Sequence, residues 1–141
     1  MAGALMHRVE VDAEPDQIFD ALATQDGLAA FWTRESRAEP REGSVAEFGF
    51  GGPVMTMRVD ELRPGLRVAW TALGNFPHWP GTKVSWDLVE ANGRTEVTFS
   101  HHGWEADLPD AELASVNYTW GQVVQRLKKY AETGEPDPFF P

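Results

Sequence analysis

Polar and apolar residues alternate along residues 5–12, where Val9 and Val11 interleave with Arg8, Glu10 and Asp12, so the chain opens on a strand that buries one face. Asp12-Ala13-Glu14-Pro15 ends it. Pro15 suits the first turn of a helix whose apolar stripe is Ile18, Phe19 and Leu22, and after Asp26-Gly27 a shorter helical piece is predicted through Leu28, Phe31 and Trp32. From there the period changes to two. Residues 44–50 set Ala46, Phe48 and Phe50 against Val45, Glu47 and Gly49; residues 54–62 carry Met55, Met57 and Val59 on one face; Leu66, Val68 and Trp70 oppose Arg67, Ala69 and Thr71. Gly51-Gly52-Pro53 and Arg63-Pro64-Gly65 supply the turns of an antiparallel meander.

The stretch from Leu73 to Gly81 holds too many breakers for regular structure and reads as a crossing loop. Pairing resumes at Thr82, with Val84, Trp86 and Leu88 alternating with Lys83, Ser85 and Asp87. Asn92-Gly93 then signals a tight hairpin. On the return strand Val97, Phe99 and His101 share one face, and Glu96, Thr98, Ser100 and His102 the other, so the two adjacent histidines face apart. A shared metal ion would need ligands converging at about 2 Å. The last element is a helix from about Asp110 to about Thr133, stopped by Gly134 and Pro136, with Leu113, Val116, Trp120, Val123, Leu127 and Tyr130 as one stripe. Residues 134–141 are expected to form a flexible or loosely docked tail, with a partner contact through Phe139 and Phe140 as the alternative. The order implies an α+β fold in which a curved antiparallel sheet of about six to seven strands wraps its apolar face around the last helix.

With 141 residues and no composition shift, the chain reads as a single domain, residues 1–141. Its net charge of -10, with only Lys128 and Lys129 adjacent among the basic residues, opposes nucleic-acid binding. The absence of cysteine removes disulfides and thiolate chemistry, and no apolar run is long enough for a signal peptide or membrane insertion. A soluble, cytoplasmic protein is the expectation. No nucleophile turn, phosphate-cradling loop, metal helix or inward pair of carboxylates is present; Glu47, Asp60 and Asp87 fall on outward faces by parity. No cofactor is implied. The unusual excess is tryptophan, six residues at 32, 70, 79, 86, 104 and 120, which suggests large flat walls either packed together or lining a cavity.

Several segments together carry a family resemblance: Val9-Glu10-Val11-Asp12-Ala13 with Pro15, Ile18-Phe19, Ala21-Leu22, Leu28 to Trp32, Trp79-Pro80-Gly81-Thr82, Thr95 to Phe99, Phe99-Ser100-His101-His102-Gly103-Trp104, and Trp120. Over nearly its whole length the chain resembles the START/Bet v 1-type (SRPBCC) domains and, among these, the group related to the C-terminal domain of the activator of Hsp90 ATPase. The resemblance implies a helix-grip fold with a cavity between sheet and helix. Related domains bind hydrophobic small molecules, lipids or polyketides, and a minority catalyse cyclisation or aromatisation.

On that basis the expected ligand-binding set is Trp32, Phe48, Met57, Trp70, Trp79, Trp86, Phe99, His101, Trp104 and Trp120, receiving a small hydrophobic ligand. The competing reading is that these side chains simply fill the interior. His101 would anchor a ligand oxygen or act as an acid/base in a cyclase-type enzyme; alternatively it is structural, bonded to a backbone carbonyl or to the Trp104 indole. Its candidate polar partners are Ser115, Asn117, Tyr118 and Thr119 on the last helix, with Asn75 and His78 on the loop. The family name also suggests chaperone contact, although no segment resembling the N-terminal half of the eukaryotic co-chaperone is seen. Pairing of a strand edge would give a homodimer.

Overall fold

The computed structural model describes residues 3–104 and 108–141. The chain runs β1 (Leu5–Val11), α1 (Pro15–Ala23), α2 (Gln25–Phe31), β2 (Glu35–Arg37), β3 (Val45–Gly49), β4 (Val54–Arg63), β5 (Arg67–Gly74), β6 (Lys83–Ala91), β7 (Arg94–His102) and α3 (Asp110–Thr133). Its strands form one seven-stranded antiparallel sheet in the order β1-β7-β6-β5-β4-β3-β2. Six strands in sequence order make the meander. β1 closes it by pairing with β7, Val9 opposite Val97 and Leu5 opposite His101. Register shifts in β4 between Thr56 and Met57 and between Val59 and Glu61 add local twist, helping the sheet to curl.

Parity assigns the faces well because a half-buried strand cannot slip by one residue without turning its whole apolar set to water. Phe48, Met55, Met57, Val68, Trp70, Val84, Trp86, Leu88, Val97, Phe99 and His101 are all buried. They meet Trp120, Val123, Val124 and Leu127 from α3. On the convex face, Asp60 pairs with Arg58 at 2.7 Å and Asp87 with Arg67 at 2.7 Å. Asn92 (φ 55°) and Gly93 (φ 79°) both take the left-handed conformation that a two-residue hairpin turn demands. At its far end α3 is tied to the start of the fold: Lys128 Nζ donates to the Glu10 carbonyl, and the Asp12 N–H donates to Glu132.

Four details depart from the sequence reading. α2 starts before Asp26-Gly27, at Gln25, because Thr24 caps it: Thr24 Oγ1 accepts from the Gly27 N–H at 3.2 Å while donating to the Asp20 carbonyl of α1 at 2.7 Å. β2 was not anticipated; three residues leave too short a period to see. Leu66 is 61 % exposed, since it belongs to the turn before β5, and Leu113 is 40 % exposed because burial along α3 becomes complete only from Trp120. Lastly, the tail is docked. The N–H groups of Asp137, Phe139 and Phe140 donate to the carbonyls of Ala30, Phe31 and Trp32, the Arg34 N–H donates to the Phe140 carbonyl, and Arg126 holds Asp137 at 3.1 Å and lies over the Phe139 ring.

Gly27 marks the closest approach of the two short helices. A Cβ there would sit 2.4 Å from the Ala21 carbonyl oxygen, a backbone atom that can move only if α1 and α2 separate. Gly27→Ala is therefore expected to destabilise the protein by about 1–3 kcal/mol through overpacking, although alanine is the better helix former. Chemical denaturation checks this; an unchanged or raised midpoint would show that the helices can part freely.

Candidate functional site

The interior of the grip is filled by aromatic rings. Trp32 and Trp70 stack at 5.9 Å with an interplanar angle of 8°, Trp70 meets Trp86 edge-on at 6.1 Å, and Phe99 packs on Trp86 at 4.8 Å and on Trp120 at 4.5 Å. The open space lies beside this stack. A cavity of about 350 Å³ is lined by Trp32, Phe50, Pro53, Met55, Phe76, Pro77, Trp79 and Phe140 together with Glu112, Ser115, Val116, Thr119 and Trp120 of α3.

Its walls form a circuit of rings. Starting from Trp32, successive centroids lie 6.0 Å to Phe50, 5.7 Å to Phe76, 5.9 Å to Trp79, 6.2 Å to Trp120 and 5.1 Å back to Trp32. Phe140 of the docked tail stands edge-on to Phe50 at 4.8 Å. The five rings come from four places in the chain. Trp32 ends α2, Phe50 follows β3, Phe76 and Trp79 lie in the loop after β5, and Trp120 is on α3. Asn75 and His78 give that loop its shape with positive φ values of 80° and 72°, and Asn75 Nδ2 donates to the Val54 carbonyl at 2.9 Å. At the rim, His78 Nε2 lies 3.8 Å from Glu112 Oε2.

Of the expected ligand-binding residues, Trp32, Trp79 and Trp120 line this cavity, whereas Phe48, Met57, Trp70, Trp86, Phe99, His101 and Trp104 pack into the filled interior. Large flat side chains on facing strands meet one another before leaving a void, so inward parity alone overstates the lining. Ser115 and Thr119 face the cavity; Tyr118 is 64 % exposed and Asn117 lies outside the lining. Phe50 and Met55 were legible as inward residues. Phe76, Pro77, Glu112 and Phe140 carried no periodic signal pointing to a cavity.

His101 occupies a closed polar cell. The Trp120 indole N–H donates to His101 Nδ1 at 3.1 Å, and Thr82 Oγ1 lies 2.8 Å from His101 Nε2 while donating its own proton to the Trp79 carbonyl at 2.6 Å. Nδ1 must therefore be the bare nitrogen and Nε2–H the donor, a neutral imidazole with both atoms satisfied. Burial, with a smaller contribution from His102, pushes the pKa down to about 3. Trp104 packs on the ring at 4.3 Å, tilted by 42°, but is not its hydrogen-bond partner. His101 thus has neither a free nitrogen nor a place on the cavity wall. Among the described residues, no three His, Asp or Glu side chains gather as a metal site would require. No helix there is long and apolar enough to cross a membrane.

Comparisons with known proteins agree with this architecture. The solution structure of the Aha1 dimer from Colwellia psychrerythraea is 33% identical, covering 94% of this chain and 98% of that one, with a TM-score of 0.85. DynU16, a protein of the dynemicin biosynthetic locus, is 26% identical over 96% of this chain with a TM-score of 0.80, but the match covers 49% of its own length. CalU16 from Micromonospora echinospora shares the fold at a TM-score of 0.73 and 19% identity, covering 96% of this chain and 77% of that one. No curated protein matches the sequence. The family model described as activator of Hsp90 ATPase homolog 1-like protein matches residues 12–132, and with most of the chain inside that match, the protein belongs to the activator of Hsp90 ATPase homolog 1-like family.

Proposed function

We propose that this protein binds a small hydrophobic or aromatic ligand in the ring-walled cavity beside α3. The observation that carries the reading is the circuit of five aromatic side chains around about 350 Å³ of space, with the few polar groups confined to one helix. That volume lies in the range of small-molecule pockets, and a mostly apolar wall with a few placed polar groups is how such sites bind and orient. Val116→Trp puts an indole into the space from a half-buried helix position. Binding of an apolar fluorescent probe is expected to fall at least about tenfold with circular dichroism unchanged. Undiminished binding in that variant would place the ligand elsewhere.

An aromatase- or cyclase-type activity would have to work through Glu112, Ser115 and Thr119, the polar groups that line the cavity. A second reading is favoured by the likeness to a dimeric Aha1: self-association, and chaperone contact of the kind the family description names. It expects a dimer mass by size-exclusion chromatography with light scattering and retention of purified Hsp90 on the immobilised protein. A monomer that retains no Hsp90 at micromolar concentration would remove it.

The hydrogen bonds of His101 support a structural role for that residue. Folding holds its pKa at about 3, below the ordinary 6.5, so between those values the unfolded chain takes up a proton that the folded chain refuses. Its contribution is complete above the unfolded pKa and is lost as pH falls through the window, by about 1.4 kcal/mol per pH unit. Relative to neutral pH, about 2 kcal/mol should be missing at pH ~5 from this group alone. Imidazole nitrogen shifts in NMR should show the neutral Nε2–H tautomer persisting at that pH. A midpoint near the ordinary histidine value would contradict the closed cell.

A further inference from the structure

We propose that the cavity sorts ligands by charge and takes an organic cation, an aromatic or otherwise apolar body carrying an ammonium group, in preference to a carboxylate such as a fatty acid. The inference rests on the ligand-binding reading above and specifies the class of ligand.

Three observations converge. First, the wall is a nearly continuous surface of ring faces and edges: Trp32, Phe50, Phe76, Trp79 and Trp120 close a circuit in which no neighbouring centroids are more than 6.2 Å apart. Aromatic faces carry the negative lobe of the ring quadrupole and attract a desolvated cation; recognition of ammonium groups by aromatic cages depends on this. Second, among the described residues the ionisable group in the lining is a carboxylate, Glu112, accompanied by the hydroxyls of Ser115 and Thr119 one and two turns further along the same helix, and no lysine or arginine lines the cavity. His78, which can carry positive charge, already faces Glu112 at 3.8 Å. Arg126 and Lys129, on the same helix, are engaged by Asp137 of the tail at 3.1 and 2.9 Å.

Third, the background field has the same sign. The chain carries a net charge of -10, and Asp110 and Glu112 in the first turn of α3 offset the positive end of the helix dipole that would otherwise draw an anion. A carboxylate entering this space would lose its hydration and face Glu112, with only neutral donors in the lining, the Ser115 and Thr119 hydroxyls and indole N–H groups, to replace the water. An ammonium group would exchange its water for Glu112 and the ring faces.

Three probes with the same aromatic body separate charge selection from binding itself: naphthylmethylamine, naphthylmethanol and naphthoate, each titrated into the protein by isothermal calorimetry. The amine is expected to bind about tenfold tighter than the alcohol, and the alcohol tighter than the carboxylate. Glu112→Gln should bring the amine's advantage over the alcohol down to less than about threefold. Alcohol and amine binding equally, or naphthoate binding best, overturns charge selection while leaving an apolar site in place. If none of the three binds, the cavity reading falls and this inference falls with it. An amine preference that survives intact in Glu112→Gln overturns the role given to Glu112, since the ring faces alone would then discriminate.

Discussion

One chain of hydrogen bonds sets the geometry around which the rest is arranged. The Trp120 indole donates to His101, His101 donates to Thr82, and Thr82 donates to the carbonyl of Trp79. Those four residues belong to α3, to β7, to the residue preceding β6 and to the loop after β5. Being buried, the links have no water to replace them, and removing any donor would strand its acceptor at a cost of about 1–3 kcal/mol. The polar thread therefore fixes the long helix against the sheet at one height and one rotation. It also places two of the cavity's aromatic walls, Trp79 and Trp120, relative to one another. Of the readings that sequence offers for His101, ligand anchor, acid/base or structural group, its hydrogen bonds support the structural one.

The cavity follows from a mismatch between helix and sheet. Downstream of Trp120 the helix is covered by the concave face and sends Val123, Val124 and Leu127 into it. Upstream, Glu112, Ser115, Val116 and Thr119 stand over space that the sheet does not fill, and the loop after β5, the turn after β3 and the docked tail enclose that space. The interior is packed to exclusion; beside it, irregular segments build a container. That division agrees with the general tendency of binding sites to lie where loops and element ends meet on a rigid scaffold.

This division also explains what could be read in advance. Period-two alternation identified the buried face of every strand long enough to show it, and the three- and four-residue spacing along α3 gave its stripe from Trp120 onward, because those patterns are the direct imprint of a dry face. It said nothing about whether facing aromatics would touch or stand apart. Seven of the ten residues proposed for the cavity accordingly pack together away from it. Phe76 and Phe140 lie in segments without periodicity, and Glu112 reaches the rim from the first turn of α3, ahead of the buried stripe. Likewise, parity turned His101 inward, but the indole expected to bond it, Trp104, only packs on its ring, and Trp120 donates instead.

The six tryptophans form a single connected array. Trp104 lies 5.9 Å from Trp79, Trp79 is 6.2 Å from Trp120, and Trp120 touches Trp32 at 5.1 Å and Trp86 at 6.2 Å, with Trp70 joined to both of the latter. At such separations absorbed light does not stay on the indole that captured it. Excitation migrates through the array, and emission leaves from whichever ring traps it. Optically the protein behaves as one antenna, and an event at Trp32, Trp79 or Trp120 is reported by the light of all six.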